Sequence, residues 1–283
     1  MTLPLNLLLG LIFSAIIAAL AYWRGSLAPS GAIGATIVGT ITFAIGGLTW
    51  GLLLIAFFVT SSALSHYKAR LKEPLAEKFQ KGHRRDLGQV LANGGWGTLL
   101  ALAFGIAQHP LFFVAFVGAM ATVNADTWAT ELGVLSKTPP RLITNGRVVA
   151  VGTSGGVTPL GTLAAFCGAL FIGSLAFLLS LSAPDPLLNL ARSRDLLLFP
   201  LGFAIAGLVG SFFDSLLGAT VQAIYFCDFD QKETESAVHR CGRATRLIRG
   251  WRWLDNDWVN FMASVFGSML AMMGYGVVWW LGG

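Results

Sequence analysis

The chain has 283 residues, of which 55% are hydrophobic and only 12% charged, and its mean hydropathy is +0.69. A soluble domain carries about 25% charge, so this composition excludes an ordinary soluble globule and predicts an all-α polytopic membrane protein. The net charge of +5 is read as orientation and lipid contact, no basic-aromatic platform stands clear of the membrane to take a nucleic acid, and three cysteines make no disulfide framework.

About 20 apolar residues span a bilayer. On that measure about eight spans are expected, at 5–22, 31–45, 48–65, 89–107, 111–125, 160–181, 196–222 and 258–281, forming one integral-membrane domain over 1–283. The first run has no basic residue before it and no small-residue cleavage site after it, so it reads as a retained helix rather than a signal peptide. In the second, Gly31, Ala35 and Gly39 form a small-residue stripe suited to close helix approach. Asp126-Thr127 in span 5 and Asp214-Ser215 in span 7 echo each other as a faint sign of duplicated halves.

Eight crossings put the loops 66–88, 134–158 and 223–257, together with Arg24, on one side. That side holds 17 of the Lys and Arg residues, against Arg192 and Arg194 on the other. The bias assigns the long loops to the cytoplasm and both termini to the outside. The expected location is the cell membrane of a prokaryote, or an equivalent organelle membrane, with any chemistry on the cytoplasmic face.

Polar residues inside or at the ends of these runs are costly and need partners or a function. Lys81, Arg84 and Arg85 precede span 4, and Asp86, Gln89 and Asn93 then run down one helix face into the bilayer. Lys68 to Lys78 read instead as ordinary positive-inside anchoring. At the end of span 5 stands N-A-D-T-W-A-T-E-L-G, where Asp126 and Thr130, and Thr127 and Glu131, are four apart on a helix. Arg141 and the glycine-rich G-T-S-G-G-V-T-P-L-G follow. Backbone amides in such a loop, opening onto a helix N-terminus, favour an anion. In span 7, Asp214, Gly218 and Gln222 share a face, and Asp257 and Asn260 enter span 8. The last long loop carries Cys227-x2-Asp230 and His239-x-Cys241, two thiols, an imidazole and a carboxylate that could make a tetrahedral zinc site. Acids, cations and a glycine loop at one membrane face are how proteins hold Mg²⁺ and polyphosphate, and apolar walls beside them suit a lipid tail.

The stretches G-H-R-R-D-L-G-Q-V-L-A-N-G-G, N-A-D-T-W-A-T-E-L-G, G-T-S-G-G-V-T-P-L-G-T-L-A-A, D-S-L-L-G-A-T-V-Q and N-D-W-V-N are spread from residue 82 to residue 260. In that order they resemble the integral-membrane phytyl-phosphate kinase family, long carried as a domain of unknown function and including animal transmembrane protein nineteen. The D-T-x-A core is also distantly similar to dolichol and phytol kinases. Where the family carries C-x-x-C this chain has Cys227 and Asp230, a departure that weighs against zinc.

The resemblance implies transfer of a phosphoryl group from a nucleoside triphosphate, with CTP as the expected donor, to an isoprenoid monophosphate such as phytyl or geranylgeranyl phosphate. It implies Asp126, Asp214 and Glu131 as catalytic acids, with Asp126, Asp214 and Asp257 holding Mg²⁺. It implies phosphate and nucleotide contacts from Lys81, Arg84, Arg85, Asn93, Asn124, Thr127, Thr130, Arg141, Thr153, Ser154, Gly155, Gly156, Gln222 and Asn260. The alternative is a transporter or flippase for an anionic lipid or metabolite. The oligomeric state is not legible.

Overall fold

The computed structural model of the chain describes residues 3–72, 84–182 and 198–282. The helices among them are α1 (Leu3–Trp23), α2 (Pro29–Gly46), α3 (Leu48–His66), the single turn α4 (Ala69–Lys72), α5 (Leu87–Ala107), α6 (Pro110–Gly133), α7 (Pro159–Leu181), α8 (Leu198–Thr220) and α9 (Asn256–Gly282). Seven of these, α1, α2, α3, α5, α6, α7 and α8, are long and apolar enough to cross a membrane. α9 lies where the eighth span is predicted but is not one of the seven. Lys81, Arg192 and Arg194, and the start of the predicted span 196–222, fall outside the described residues.

Three helices open on proline, at Pro29, Pro110 and Pro159. The first helical position lacks an intrahelical acceptor for its N–H, so proline costs nothing there. α5 opens on a capping box. The Asp86 carboxylate accepts from the Gln89 amide at 3.0 Å, and the Gln89 side chain accepts from the Asp86 amide at 3.2 Å.

α6 is the axis of the bundle. Every residue from Phe113 to Ala125 is buried, and α3, α5, α7, α8 and α9 pack around it. Trp50 of α3 closes one side, its ring 4.4 Å from that of Phe116. On the other side Thr122 is met by Gly210 of α8 and Gly267 of α9, where any side chain would collide with it. Small residues let helix backbones approach where lipid gives no hydrophobic drive to associate. The Gly31 stripe does the same for the outer helices: Gly31 packs on the Arg85 backbone and Gly39 on Ser14 of α1.

α6 continues about two turns beyond the predicted end of its span at 125. The polar residues that interrupt the apolar run stay helical. They project from the C-terminal end of α6 among the ends of α3 and α8 and the starts of α5, α7 and α9.

The loops depart from the all-α expectation. β1 (Arg141–Leu142) and β2 (Gly156–Val157) form a short antiparallel pair. β3 (Ile224–Cys227), β4 (Lys232–Thr234) and β5 (Arg246–Arg249) form an antiparallel sheet in the order β4-β3-β5. The run Ile224-Tyr225-Phe226 is apolar but far too short to span a membrane, and its aromatic residues suit a pleated surface. The sheet docks on α8 through Arg249, whose guanidinium donates to the Gly218 carbonyl at 2.7 Å.

Candidate functional site

Six helix ends and the loop between β1 and β2 enclose a cavity of about 310 Å³. α6 contributes Asp126, Thr127, Thr130 and Glu131. α8 contributes Ser211, Asp214, Ser215 and Gly218, one helix face at spacings of three and four. The two acids belong to one constellation: Ser211, one turn before Asp214, donates to Asp126 Oδ1 at 3.4 Å, and Asp214 lies within electrostatic reach of Asp126 and Glu235. Oδ2 of Asp214 is buried with no hydrogen-bond partner among the described residues. Asp257 and Asn260 at the start of α9 also line the cavity. Asp255 caps that helix, accepting from the Trp258 amide at 3.1 Å.

Two cations face these acids. Arg85 lines the cavity just before α5. Its guanidinium donates to Ser62 Oγ at 2.9 Å and lies over the Phe58 ring. Burial pulls its pKa below the ordinary value, a fall that the charge of Glu131 offsets only in part. Lys72 reaches in from α4 and is only 5% exposed. Its ammonium donates to the Leu64 carbonyl at 2.8 Å and pairs with Glu131 Oε2 at 2.5 Å, while Ser65 donates to Glu131 Oε1 at 2.6 Å.

The glycine loop closes the cavity from the loop side. Gly155 has φ of +81°, a left-handed conformation that favours glycine. A Cβ there would lie within 2.7 Å of the Ala219 amide nitrogen and Cα, so the loop presses directly on the end of α8. Ser154 donates to Glu235 Oε1 at 2.7 Å, and Gln222 donates to the same oxygen at 3.0 Å. Gly155→Ala should therefore cost about 1–2 kcal/mol more than Gly146→Ala. Gly146 shares the positive φ but has open space around its missing Cβ. Comparing the thermal unfolding of the two purified variants measures the difference.

A second, apolar pocket of about 90 Å³ lies between α1, α2, α3 and α5, walled by Phe13, Ile17, Phe43, Phe57 and Phe58 among others. Arg85, Gln89 and Asn93 line both spaces. The polar face of α5 is thus the partition between a charged chamber and a greasy one.

Residues 12–268 match the family described as integral membrane protein DUF92. This chain is a DUF92 protein. It is 36% identical over 279 residues to Protein PGR of Arabidopsis thaliana, covering 94% of each chain. It is 30% identical over 245 residues to an uncharacterized membrane protein of Methanocaldococcus jannaschii, covering 87% of this chain and 84% of the relative. It is 26% identical over 253 residues to the chloroplastic Protein VTE6 of Arabidopsis thaliana, covering 87% of this chain and 65% of that one. No solved structure matches the chain.

In this DUF92 chain the cavity gathers Arg85, Asn93, Asp126, Thr127, Thr130, Glu131, Thr153, Ser154, Gly155, Gly156, Asp214, Gln222, Asp257 and Asn260. Three expected site residues lie outside it. Asn124 is fully buried, donating to the Gly168 carbonyl at 2.7 Å and accepting from Thr60 at 3.1 Å, so its amide ties α3 and α7 to α6. It precedes Asp126 by two, a spacing that sets the two side chains on different helix faces. Arg84 is turned outward, over the Tyr22 ring and toward the Leu27 carbonyl. Arg141 is exposed on β1 and donates to the Gly146 carbonyl at 2.9 Å.

Two charged cavity residues escape a sequence reading. Lys72 belongs to the stretch read as anchoring charge, and the structure buries it against Glu131. Glu235 sits in K-E-T-E-S, within the predicted cytoplasmic loop 223–257. Only the register of β4 against β3, which pairs Thr234 with Tyr225, carries it back to the glycine loop.

Proposed function

We propose that this DUF92 protein transfers the terminal phosphoryl group of a nucleoside triphosphate, with CTP as the first candidate, to an isoprenoid monophosphate. The observation that carries this reading is the convergence of Asp126 and Asp214, from separate helices, on a cavity with a glycine loop and two cations beside an apolar pocket. The family resemblance of the motifs supports the same reaction.

A divalent cation fits the donor set. Asp126, Glu131, Asp214, Glu235 and Asp257 all line the cavity, and one buried Asp214 oxygen has no hydrogen-bond partner among the described residues. Asp126 and Asp214, with Asp257, are the residues that would hold Mg²⁺, whose charge would offset that building on the polyphosphate. In the glycine loop the Thr153 and Gly156 amides are engaged by the Ala150 and Thr153 carbonyls, so the amides of Ser154 and Gly155 would take phosphate oxygens, and Arg85 and Lys72 would neutralise them. Glu131 keeps Lys72 in place. The acceptor is already an oxyanion at neutral pH. Its oxygen attacks the terminal phosphorus, the bond to the bridging oxygen of the donor breaks, and a nucleoside diphosphate leaves with a lipid diphosphate as product. No proton has to be removed, so in-line positioning and charge neutralisation do the catalytic work.

The acceptor phosphate lies at the partition of Arg85, Gln89 and Asn93, with the first part of its tail in the apolar pocket. The excess of Lys and Arg on the connections at this end of the bundle supports a cytoplasmic cavity. Ala35 lines the apolar pocket. Ala35→Phe should raise the KM for the isoprenoid phosphate about tenfold and leave the KM for the nucleotide unchanged, as steady-state kinetics with each substrate varied in turn would show.

The deciding assay is purified protein in detergent with Mg²⁺, terminally labelled CTP or ATP, and phytyl or geranylgeranyl phosphate. Label in a lipid diphosphate is the expected result. Its absence, together with movement of an anionic lipid or metabolite in proteoliposomes, would overturn the kinase in favour of a transporter.

A further inference from the structure

Cys227, Asp230, His239 and Cys241 lie outside the cavity, and the proposed reaction does not use them. Two tight turns bring them together. Cys227 ends β3, and its hairpin to β4 turns through Asp230 and Gln231, the latter at φ of +53°. The second turn is closed by the bridge between Val238 and Ala244. Within it the His239 amide donates to the Arg243 carbonyl, and Gly242 takes φ of +81°. One ligand-type atom from each of the four side chains falls within 4.8 Å of the other three.

The internal geometry is that of ligands aimed at a common point. The two sulfurs are 3.7 Å apart. A disulfide needs about 2.0 Å, whereas two sulfurs on a tetrahedral zinc, each at about 2.3 Å, stand about 3.8 Å apart. His239 is 4% exposed, and its Nδ1 lies 2.8 Å from Asp230 Oδ2. That approach lacks hydrogen-bond geometry, and neither ring nitrogen has a hydrogen-bond partner among the described residues. A buried imidazole left in that condition is expensive unless something else takes its lone pair. The Asp230 amide donates to Cys227 Sγ at 3.5 Å.

We infer that Cys227, Asp230, His239 and Cys241 form a closed tetrahedral site for a structural Zn²⁺ ion. Two thiolates, one imidazole and one carboxylate fill its four positions and leave none open, the mark of a structural rather than catalytic site. Binding releases the two thiol protons. The segment between the two turns carries Glu235, which receives the hydrogen bonds of Ser154 and Gln222. The metal therefore clamps both ends of the segment that holds the glycine loop against α8. Aspartate serves here in place of a third thiolate, so the C-x-x-C departure changes a ligand and keeps the site.

The test is independent of the kinase assay. Full-length protein purified without chelator, then equilibrated with Zn²⁺ and desalted, should carry about one zinc per chain by elemental analysis. Cys227→Ser/Cys241→Ser should carry none. In the wild-type chain a zinc chelator should increase hydrogen exchange across 223–250 and leave α1 and α2 unchanged. Because the double variant risks misfolding, cobalt substitution of the wild-type chain gives a second readout. Intense visible d–d bands with thiolate charge transfer in the near ultraviolet are expected for a tetrahedral two-sulfur site. Wild-type protein that binds no zinc, a double variant that retains it, or a Cys227–Cys241 disulfide in non-reducing mass spectrometry would each overturn the assignment.

Discussion

Asp126→Asn and Asp214→Asn should each lower the rate of phosphoryl transfer by at least about 10³-fold while the chain still inserts and folds. The side chains stay the same size and keep a carbonyl oxygen, but each loses the charge that a divalent cation requires. The loss would appear in single-turnover transfer of label from CTP to geranylgeranyl phosphate at saturating Mg²⁺. The two substitutions should also be non-additive. Both acids act on one polyphosphate, so the double variant should be little worse than the worse single one. Wild-type turnover in either single variant would remove the metal assignment, and the kinase reading with it. Thermal unfolding should change little or rise, since each substitution removes one of two carboxylates that repel each other in the cavity.

Lys72→Met should destabilise the protein by about 3–5 kcal/mol, the largest stability effect expected of any single substitution at the site. It leaves Glu131, only 17% exposed, with the hydroxyl of Ser65 and the less direct charge of Arg85. Adding Glu131→Gln to Lys72→Met should recover most of the loss, because the stranded charge is then gone. A double-mutant cycle on thermal midpoints in one detergent isolates the coupling. A double variant no more stable than Lys72→Met alone would show that Lys72 is held by the Leu64 carbonyl and packing rather than by the pair. Transfer activity should stay low in the recovered double variant, since a phosphate-facing cation is still missing.

The membrane architecture was legible because its signal is crude. Long apolar runs announce helices whatever they pack against, and proline at Pro29, Pro110 and Pro159 marks where three of them start. The gathering of Asp126, Asp214, Asp257 and the glycine loop was legible for a related reason. Acids in apolar runs are rare enough to stand out, and alternation of the helices carries their ends to one end of the bundle. Other features had no local signature. Asn124 sits in the same motif as Asp126, yet whether an amide faces a cavity or a neighbouring helix depends on helix phase against α3 and α7. Arg84 and Arg85 are adjacent and alike in sequence. The short parallel bridge between Leu27 and Arg85 sends one guanidinium outward over Tyr22 and the other inward to Ser62. Lys72 and Glu235 depend on tertiary pairing alone. The small sheets were missed because strands of two to four residues leave too little pattern to read.

The greasy compartment beside α5 is far smaller than the several hundred Å³ that usually surround a whole organic ligand. It has room for the beginning of a prenyl chain and no more. On the proposed reaction, what extends past Phe13, on the poorly buried α1, would run into the surrounding bilayer. A kinase built this way would measure its substrate from the phosphate outward and be indifferent to where the chain ends. Prenyl phosphates that share their first units would compete as equals, and which one is converted would follow from which one the host membrane supplies.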